Sequence, residues 1–77
     1  MNDLIYLSME QAIIAHYDRA GTSYDPQRKM RNKHLTLLQH HYRPDLFHGK
    51  NGIELRKAKD SFLTQISHMV DVDFGLA

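Results

Sequence analysis

The chain has 77 residues, of which 42% are hydrophobic and 25% are charged, and it contains no cysteine. This length allows one small domain with a core of about a dozen and a half apolar side chains. It excludes a multidomain enzyme, and the lack of thiols excludes disulfides, iron–sulfur clusters and Cys-rich zinc sites.

The N-terminal stretch carries Asp3 and Glu10 and contains no long apolar run. It therefore fits neither a signal peptide nor a membrane-spanning helix. Because the chain also lacks cysteine, a reducing cytoplasm is the expected location, and no membrane association is expected.

Charge is segregated along the chain, although the formal net charge is only +1. Residues 1–25 have a balance of −3, residues 26–50 a balance of +5, and residues 51–77 a balance of −1. Four of the six histidines also lie in the middle segment. This segment becomes more basic below about pH 6.5, where exposed histidines gain a proton.

The first of three segments with helical periodicity covers 8–20. Ser8 and Gln11 have the spacing of a capping box, and Gly21 fits the C′ position that ends a helix. Apolar and aromatic residues recur every three or four positions and predict one buried face. The members of this face are Met9, Ala12, Ile13, His16, Tyr17 and Ala20.

The second segment covers 26–42. Asp25 is a good N-cap acceptor, and Pro26 suits the first helical position because its missing N–H is not needed there. Pro44 disfavours helix at Arg43 and ends the run. The predicted apolar and aromatic stripe consists of Met30, His34, Leu37, Leu38, His41 and Tyr42.

The third segment covers 52–70, with Asn51 as the expected cap and an acidic Glu54 three positions later. Its core-facing residues are Leu55, Ala58, Phe62, Ile66, Met69 and Val70. Strand signals are weak, so the sequence predicts a single all-α domain of three helices over 1–77, with a tail over 71–77. The last two helices should form an antiparallel hairpin, across which the first helix packs.

The turn between these two helices has residues with defined conformational roles. Pro44 sets the chain direction as the helix stops, and Asp45 can accept hydrogen bonds from backbone N–H groups of the following turn. Leu46 or Phe47 can then fold back onto the core. On this interpretation the segment is a structural turn.

The same turn, preceded by a basic helix and followed by an amphipathic one, resembles the J-domain family of co-chaperones. That family has a Tyr-His-Pro-Asp run, a loop and a returning antiparallel helix. The resemblance covers about residues 28–70. The similar positions are Leu38, Tyr42, Pro44, Asp45, the Leu46-Phe47 pair that is similar to iron–sulfur co-chaperones, and Lys59-Asp-Ser-Phe62.

Arg43 stands where the family has the histidine of its His-Pro-Asp triad. The resemblance implies a J-like helical hairpin that docks on a DnaK-type chaperone. It also implies that the family histidine is needed to stimulate ATP hydrolysis by that chaperone. With Arg43 in its place, docking without stimulation is expected, or binding to another protein partner.

Metal and catalytic sites are not expected. His34 and His41 are seven residues apart, about 10.5 Å along a helix, which is too far to share an ion easily, and they are expected to be half-buried. The serines have no identifiable His–Asp partners, and the glycine-rich run over 48–52 lacks P-loop spacing. We therefore predict no enzyme and no cofactor.

The leading hypothesis is a non-catalytic protein-interaction module. Its expected partner-binding residues are Arg28, Lys29, Arg31, Lys33, Arg43, Pro44 and Asp45. An acidic partner would be steered towards the basic side chains. The alternative is a small nucleic-acid-binding or phage-type regulatory protein that acts through the basic second helix.

A solvated helix face would explain the same basic charges equally well. The oligomeric state is also open, since four apolar residues near the chain ends could be exposed. These are Leu4, Ile5, Phe74 and Leu76.

Overall fold

The computed structural model describes residues 3–21 and 25–75, with the side chain of Asp25 excluded. Three helices occur in these ranges: α1 (Leu4–Arg19), α2 (Asp25–His41) and α3 (Gly52–Asp73), with a short 3₁₀ turn at Pro44–Leu46. No strand occurs within them. The predicted all-α fold with three helices is confirmed.

Helix α1 begins four residues earlier than predicted. Asp3 is its N-cap, and Oδ1 of this aspartate accepts hydrogen bonds from the backbone N–H groups of Ile5 at 3.0 Å and Tyr6 at 3.3 Å. The predicted capping box at Ser8 and Gln11 is wrong, because an acceptor upstream had already satisfied the first orphan N–H groups. The predicted end is confirmed, with Gly21 at a φ of +70°.

The predicted limits of the other two helices are close to the observed ones. Helix α2 begins at Asp25 and ends at His41, one residue before each predicted limit, so Asp25 belongs to the helix and Pro26 is its second residue rather than its first. Asn51 is the N-cap position of α3, but its side chain makes no capping hydrogen bond, so that part of the prediction is wrong. Helix α3 also continues to Asp73, three residues beyond the predicted end, which corrects the predicted tail. Leu76 lies outside the described residues.

Side-chain contacts define how the helices run. Tyr17 of α1 bonds His34 of α2, and near the other end Asp3 bonds Tyr42, so α1 and α2 are antiparallel. Helices α2 and α3 form the predicted antiparallel hairpin. An ion pair between Lys33 of α2 and Asp73, the last residue of α3, links the two helices. Helices α1 and α3 are therefore parallel to each other.

The core lies where the three helices and the turn meet. Its buried side chains are Met9, Ile13, Tyr17, Leu38, Phe47, Phe62, Ile66 and Val70. The predicted core face of α3 is confirmed, since the remaining members of that face are partly buried against this cluster. On α1, three predicted members, Ala12, His16 and Ala20, are exposed, because the helix contacts its neighbours along a narrower stripe.

None of the described helices combines the length and the apolar character that a membrane span requires.

Candidate protein-binding surface

The hairpin tip is the segment 43–47 that joins α2 to the loop before α3. Arg43 is extended, with φ −133° and ψ 104°, as expected for a residue that precedes proline. The backbone N–H groups of Leu46 and Phe47 donate to the carbonyl oxygens of Arg43 at 3.1 Å and Pro44 at 3.0 Å. These two hydrogen bonds define the shape of the turn.

Phe47 anchors this tip in the core. Its side chain is only 2% exposed. Its ring stacks on Tyr42 at a centroid distance of 5.9 Å and meets the ring of Phe62 edge-on at 5.9 Å. The predicted fold-back is confirmed for Phe47, whereas Leu46 remains 39% exposed. The tip is therefore attached to the body of the protein by aromatic packing.

Arg43 and Asp45 form an ion pair on the outside of the tip. Nη2 of Arg43 donates to Oδ2 of Asp45 at 3.2 Å, and each side chain is 66% exposed. No hydrogen bond from a backbone N–H of the described residues to the Asp45 carboxylate occurs, so its predicted role in the turn is wrong. A pair this exposed contributes only about 0–1 kcal/mol, and both groups stay accessible to a partner.

The four basic residues of α2 do not form one face. Successive residues are rotated by about 100° around a helix axis. Arg28 and Arg31, three positions apart, therefore lie on one side, and Lys29 and Lys33, four positions apart, lie on another. The predicted single basic face is corrected, because neighbours in sequence point in different directions on a helix.

Arg31 and Lys33 are less exposed than Arg28 and Lys29. Arg31 is half-buried, and its buried Nε has no hydrogen-bond partner in the described ranges. Nζ of Lys33 pairs with Oδ2 of Asp73 at 2.8 Å and lies 5.8 Å from the ring centre of Phe74. Lys33 therefore links α2 to the end of α3 before any partner arrives, and the buried Nε of Arg31 is not accessible to one.

A continuous exposed stripe does connect α2 to the tip. We call it the outer stripe; it consists of Lys29, Asn32, Thr36, Gln39, His40 and Arg43, all exposed. Apart from the adjacent Gln39 and His40, successive members are three or four residues apart, and the helical part from Lys29 to His40 extends over about 16 Å. Sequence reasoning did not include the four central residues among the expected contact residues, because it selected charged side chains. The helical spacing of polar residues between Lys29 and Arg43 in the sequence could have identified these four positions as one exposed face.

The histidines are distributed differently from the prediction. His34 is half-buried as predicted, but His41 is exposed, so that part of the prediction is wrong. No group of three or more potential metal-ligating side chains lies together in the part of the chain that the structure describes.

A groove of about 410 Å³ lies between α1 and α3, where the bundle is open. Apolar residues of both helices line it, including Ile13, Leu63 and Ile66. His34 contributes to it from α2. This groove is separate from the outer stripe, since its walls come from α1 and α3.

Comparisons with known proteins identify no relative: no protein-family model, no curated protein and no solved structure matches the chain.

Proposed function

We propose that this protein is a non-catalytic protein-binding module. Its contact surface is the outer stripe together with the hairpin tip, and its partner is a DnaK-type chaperone that it binds without stimulating ATP hydrolysis. The observation that carries the proposal is the exposed Arg43–Asp45 pair on a tip that buried Phe47 anchors. Such a partner would place the protein in the cytoplasm.

The anchored tip supports binding because little conformational freedom remains to be lost. Association always costs the ordering of loops and side chains at the interface. Here Phe47 packs between Tyr42 and Phe62, so the backbone of the tip is ordered before a partner arrives. At the tip, a partner then has to order side chains such as those of Arg43 and Asp45 but not the backbone.

Charge supports a partner with an acidic surface. Lys29 and Arg43 lie at the two ends of the outer stripe, with polar and histidine side chains between them. Lys33 is adjacent but already pairs with Asp73. An acidic partner surface would gain mainly in association rate and orientation from these charges.

The absence of ATPase stimulation follows from the residue at position 43. The resemblance to J-domains implies that stimulation needs a histidine there, and this chain has Arg43. The guanidinium also holds the carboxylate of Asp45 in an ion pair. The carboxylate of Asp45 would therefore contact both Arg43 of this chain and the bound chaperone.

The first test measures binding of the full chain to an ATP-loaded DnaK-type chaperone by biolayer interferometry. Lys29→Glu should weaken binding about tenfold, because the reversed charge would repel an acidic surface. Lys57→Glu is the matched control, since it makes the same charge change at an exposed position of α3 and should leave binding unchanged. Equal binding by both variants would contradict the proposed surface.

The second test separates docking from stimulation. Asp45→Asn should reduce binding, because it removes the carboxylate that holds the Arg43 guanidinium in position at the tip. Wild type should leave the ATPase rate of the chaperone unchanged, and Arg43→His should raise it. Binding of nucleic acid instead of the chaperone, with a steep loss in salt, would replace this proposal with the regulatory alternative.

A further inference from the structure

Two side-chain hydrogen bonds hold α1 on α2, one near each end. Near the N-terminus of α1, the hydroxyl of Tyr42 donates to Asp3 at 2.5 Å. Near its C-terminus, the hydroxyl of Tyr17 and Nδ1 of His34 share a hydrogen bond of 2.8 Å. The Tyr42–Asp3 bond involves a carboxylate, whereas the Tyr17–His34 bond involves an imidazole. Because these two groups titrate over different pH ranges, acid affects the two contacts at different pH values.

His34 is in a setting that accepts a neutral ring and resists a charged one. Its Nδ1 is bonded to Tyr17, while its Nε2 is buried and finds no hydrogen-bond partner among the described residues. A protonated ring carries an N–H donor on both nitrogens. The Tyr17 hydroxyl can accept from a protonated Nδ1 as well as donate to a neutral one, so protonation need not remove this hydrogen bond itself. It places a charge in a partly buried site, where the N–H on Nε2 is a charged donor without an acceptor, which is costly when buried.

The charged groups around His34 come from all three helices. Asp71 of α3 attracts a proton to it, and His16 of α1 opposes one. Arg31 lies one turn away on α2 itself, with its Nε buried. Burial outweighs the attraction of Asp71 and lowers the pKa of His34 below its usual value of 6.5.

Water can reach this site through the open side of the bundle. The groove between α1 and α3 is lined by His16 and Tyr17 on one wall, Ser67 on the other, and His34 from α2. Separation of the C-terminal half of α1 would widen this groove and hydrate the imidazole. In the N-terminal half, Tyr42 is held by Asp3 and packs on Tyr6 at a ring-centroid distance of 5.2 Å.

We propose that the Tyr17–His34 contact is an acid-sensitive latch: protonation of His34 releases the C-terminal half of α1 from the α2–α3 hairpin, while the Asp3–Tyr42 bond retains the N-terminal half. The Tyr17–His34 contact is fully formed above about pH 6.5, which is the pKa of a histidine in an unfolded chain. It is released as the pH falls through the lower pKa that His34 has in the folded state. This inference is independent of the proposed chaperone partner.

The sign of the effect follows from linkage. A histidine whose pKa is lowered by folding binds fewer protons in the native state than in the unfolded state. Its contribution to stability is therefore present above about pH 6.5 and is lost progressively below it. The pKa of Asp3 is also lowered, from 3.8, so its bond persists to more acidic conditions.

The test is hydrogen exchange by NMR on the full chain at about pH 7.5 and about pH 5. Protection factors over 14–19 should fall several-fold at the lower pH, while those over 7–10 and over α3 should change little. His34→Gln keeps a polar partner for Tyr17 but cannot titrate, so it should abolish the difference. His40→Gln, at an exposed position of the same helix, is the matched control and should retain it.

A direct measurement needs no variant and covers the case in which His34→Gln fails to fold. The Hε1 resonance of His34 in the wild-type chain should titrate with a midpoint below 6.5, coincident with the loss of protection over 14–19. A midpoint at or above this value would overturn the proposal. So would protection factors over 14–19 that do not depend on pH, or that change equally in His34→Gln.

Discussion

The hydroxyl of Tyr42 donates a hydrogen bond of 2.5 Å to Oδ2 of Asp3, which lies 39 positions earlier in the chain. The other carboxylate oxygen of Asp3 caps the first turn of α1. One aspartate thus both begins a helix and attaches it to the last residue before the hairpin tip. Tyr42 in turn stacks on Phe47, so the start of α1 and the tip share one set of contacts.

Acid should weaken this link. The hydrogen bond from Tyr42, followed by those from Tyr6 and Ile5, lowers the pKa of Asp3 from 3.8 despite some opposing desolvation. A lowered carboxylate pKa contributes stability above about pH 3.9 that is lost as the pH falls through the folded-state value. The midpoint of urea unfolding should therefore drop between about pH 5 and pH 2.5.

Tyr42→Phe provides the control for this acid dependence. It removes the hydroxyl that donates to Asp3 but keeps the aromatic ring beside Phe47. The variant should be less stable than wild type at about pH 5, and the gap should narrow at about pH 2.5. An identical gap at both pH values would show that the bond does not depend on the charge of Asp3.

Phe47→Ala should be strongly destabilising. The ring is 2% exposed and contacts aromatic rings on two sides, so truncation leaves a cavity that costs about 3–5 kcal/mol. The neighbouring Leu46→Ala, at 39% exposure, should cost less than about 1 kcal/mol. Chemical denaturation of the two variants measures this difference, and similar losses would contradict the anchoring role of Phe47.

The Lys33–Asp73 ion pair should contribute little. Its two side chains are 41% and 47% exposed, so water screens the attraction. A double-mutant cycle with Lys33→Gln and Asp73→Asn should give a coupling of about 0.2–1 kcal/mol, which decreases in about 1 M salt. A coupling that salt does not change would show that the contact is not mainly electrostatic.

Gly21→Ala should destabilise the protein by about 1 kcal/mol through the backbone alone. Gly21 has a φ of +70°, and an added Cβ would meet no atom within 4 Å, so steric contact with neighbours plays no part. Gly21→Asn should cost less, because asparagine tolerates the left-handed conformation better. Thermal unfolding compares the two, and equal losses would argue against a conformational cause.

Short-range signals in the sequence predicted much of the fold. Gly21 follows the end of α1, Pro26 lies in the first turn of α2, and Pro44 begins the 3₁₀ turn, because each acts on its own backbone conformation. The capping predictions at Ser8 and Asn51 failed for a different reason. A capping side chain competes with other acceptors and other conformations, and local sequence does not show which prevails.

The candidate surface was only partly predictable. Arg43, Pro44 and Asp45 are exposed together at the tip, as their adjacency in the sequence suggested. Arg31 and Lys33 were grouped with Lys29 by sequence distance, but the helix points them towards different neighbours. Arg31 is half-buried, and Lys33 pairs with a residue of α3.

The sequence by itself determined three amphipathic helices and their approximate limits, because helical periodicity and turn residues act over a few positions. Only the tertiary structure decided that Asp3 would bond Tyr42 and that Tyr17 would bond His34. These pairs are far apart in the chain, and their meeting depends on the rotation and direction of each helix against the others. Those quantities are set by packing of the shared core, which no local pattern specifies.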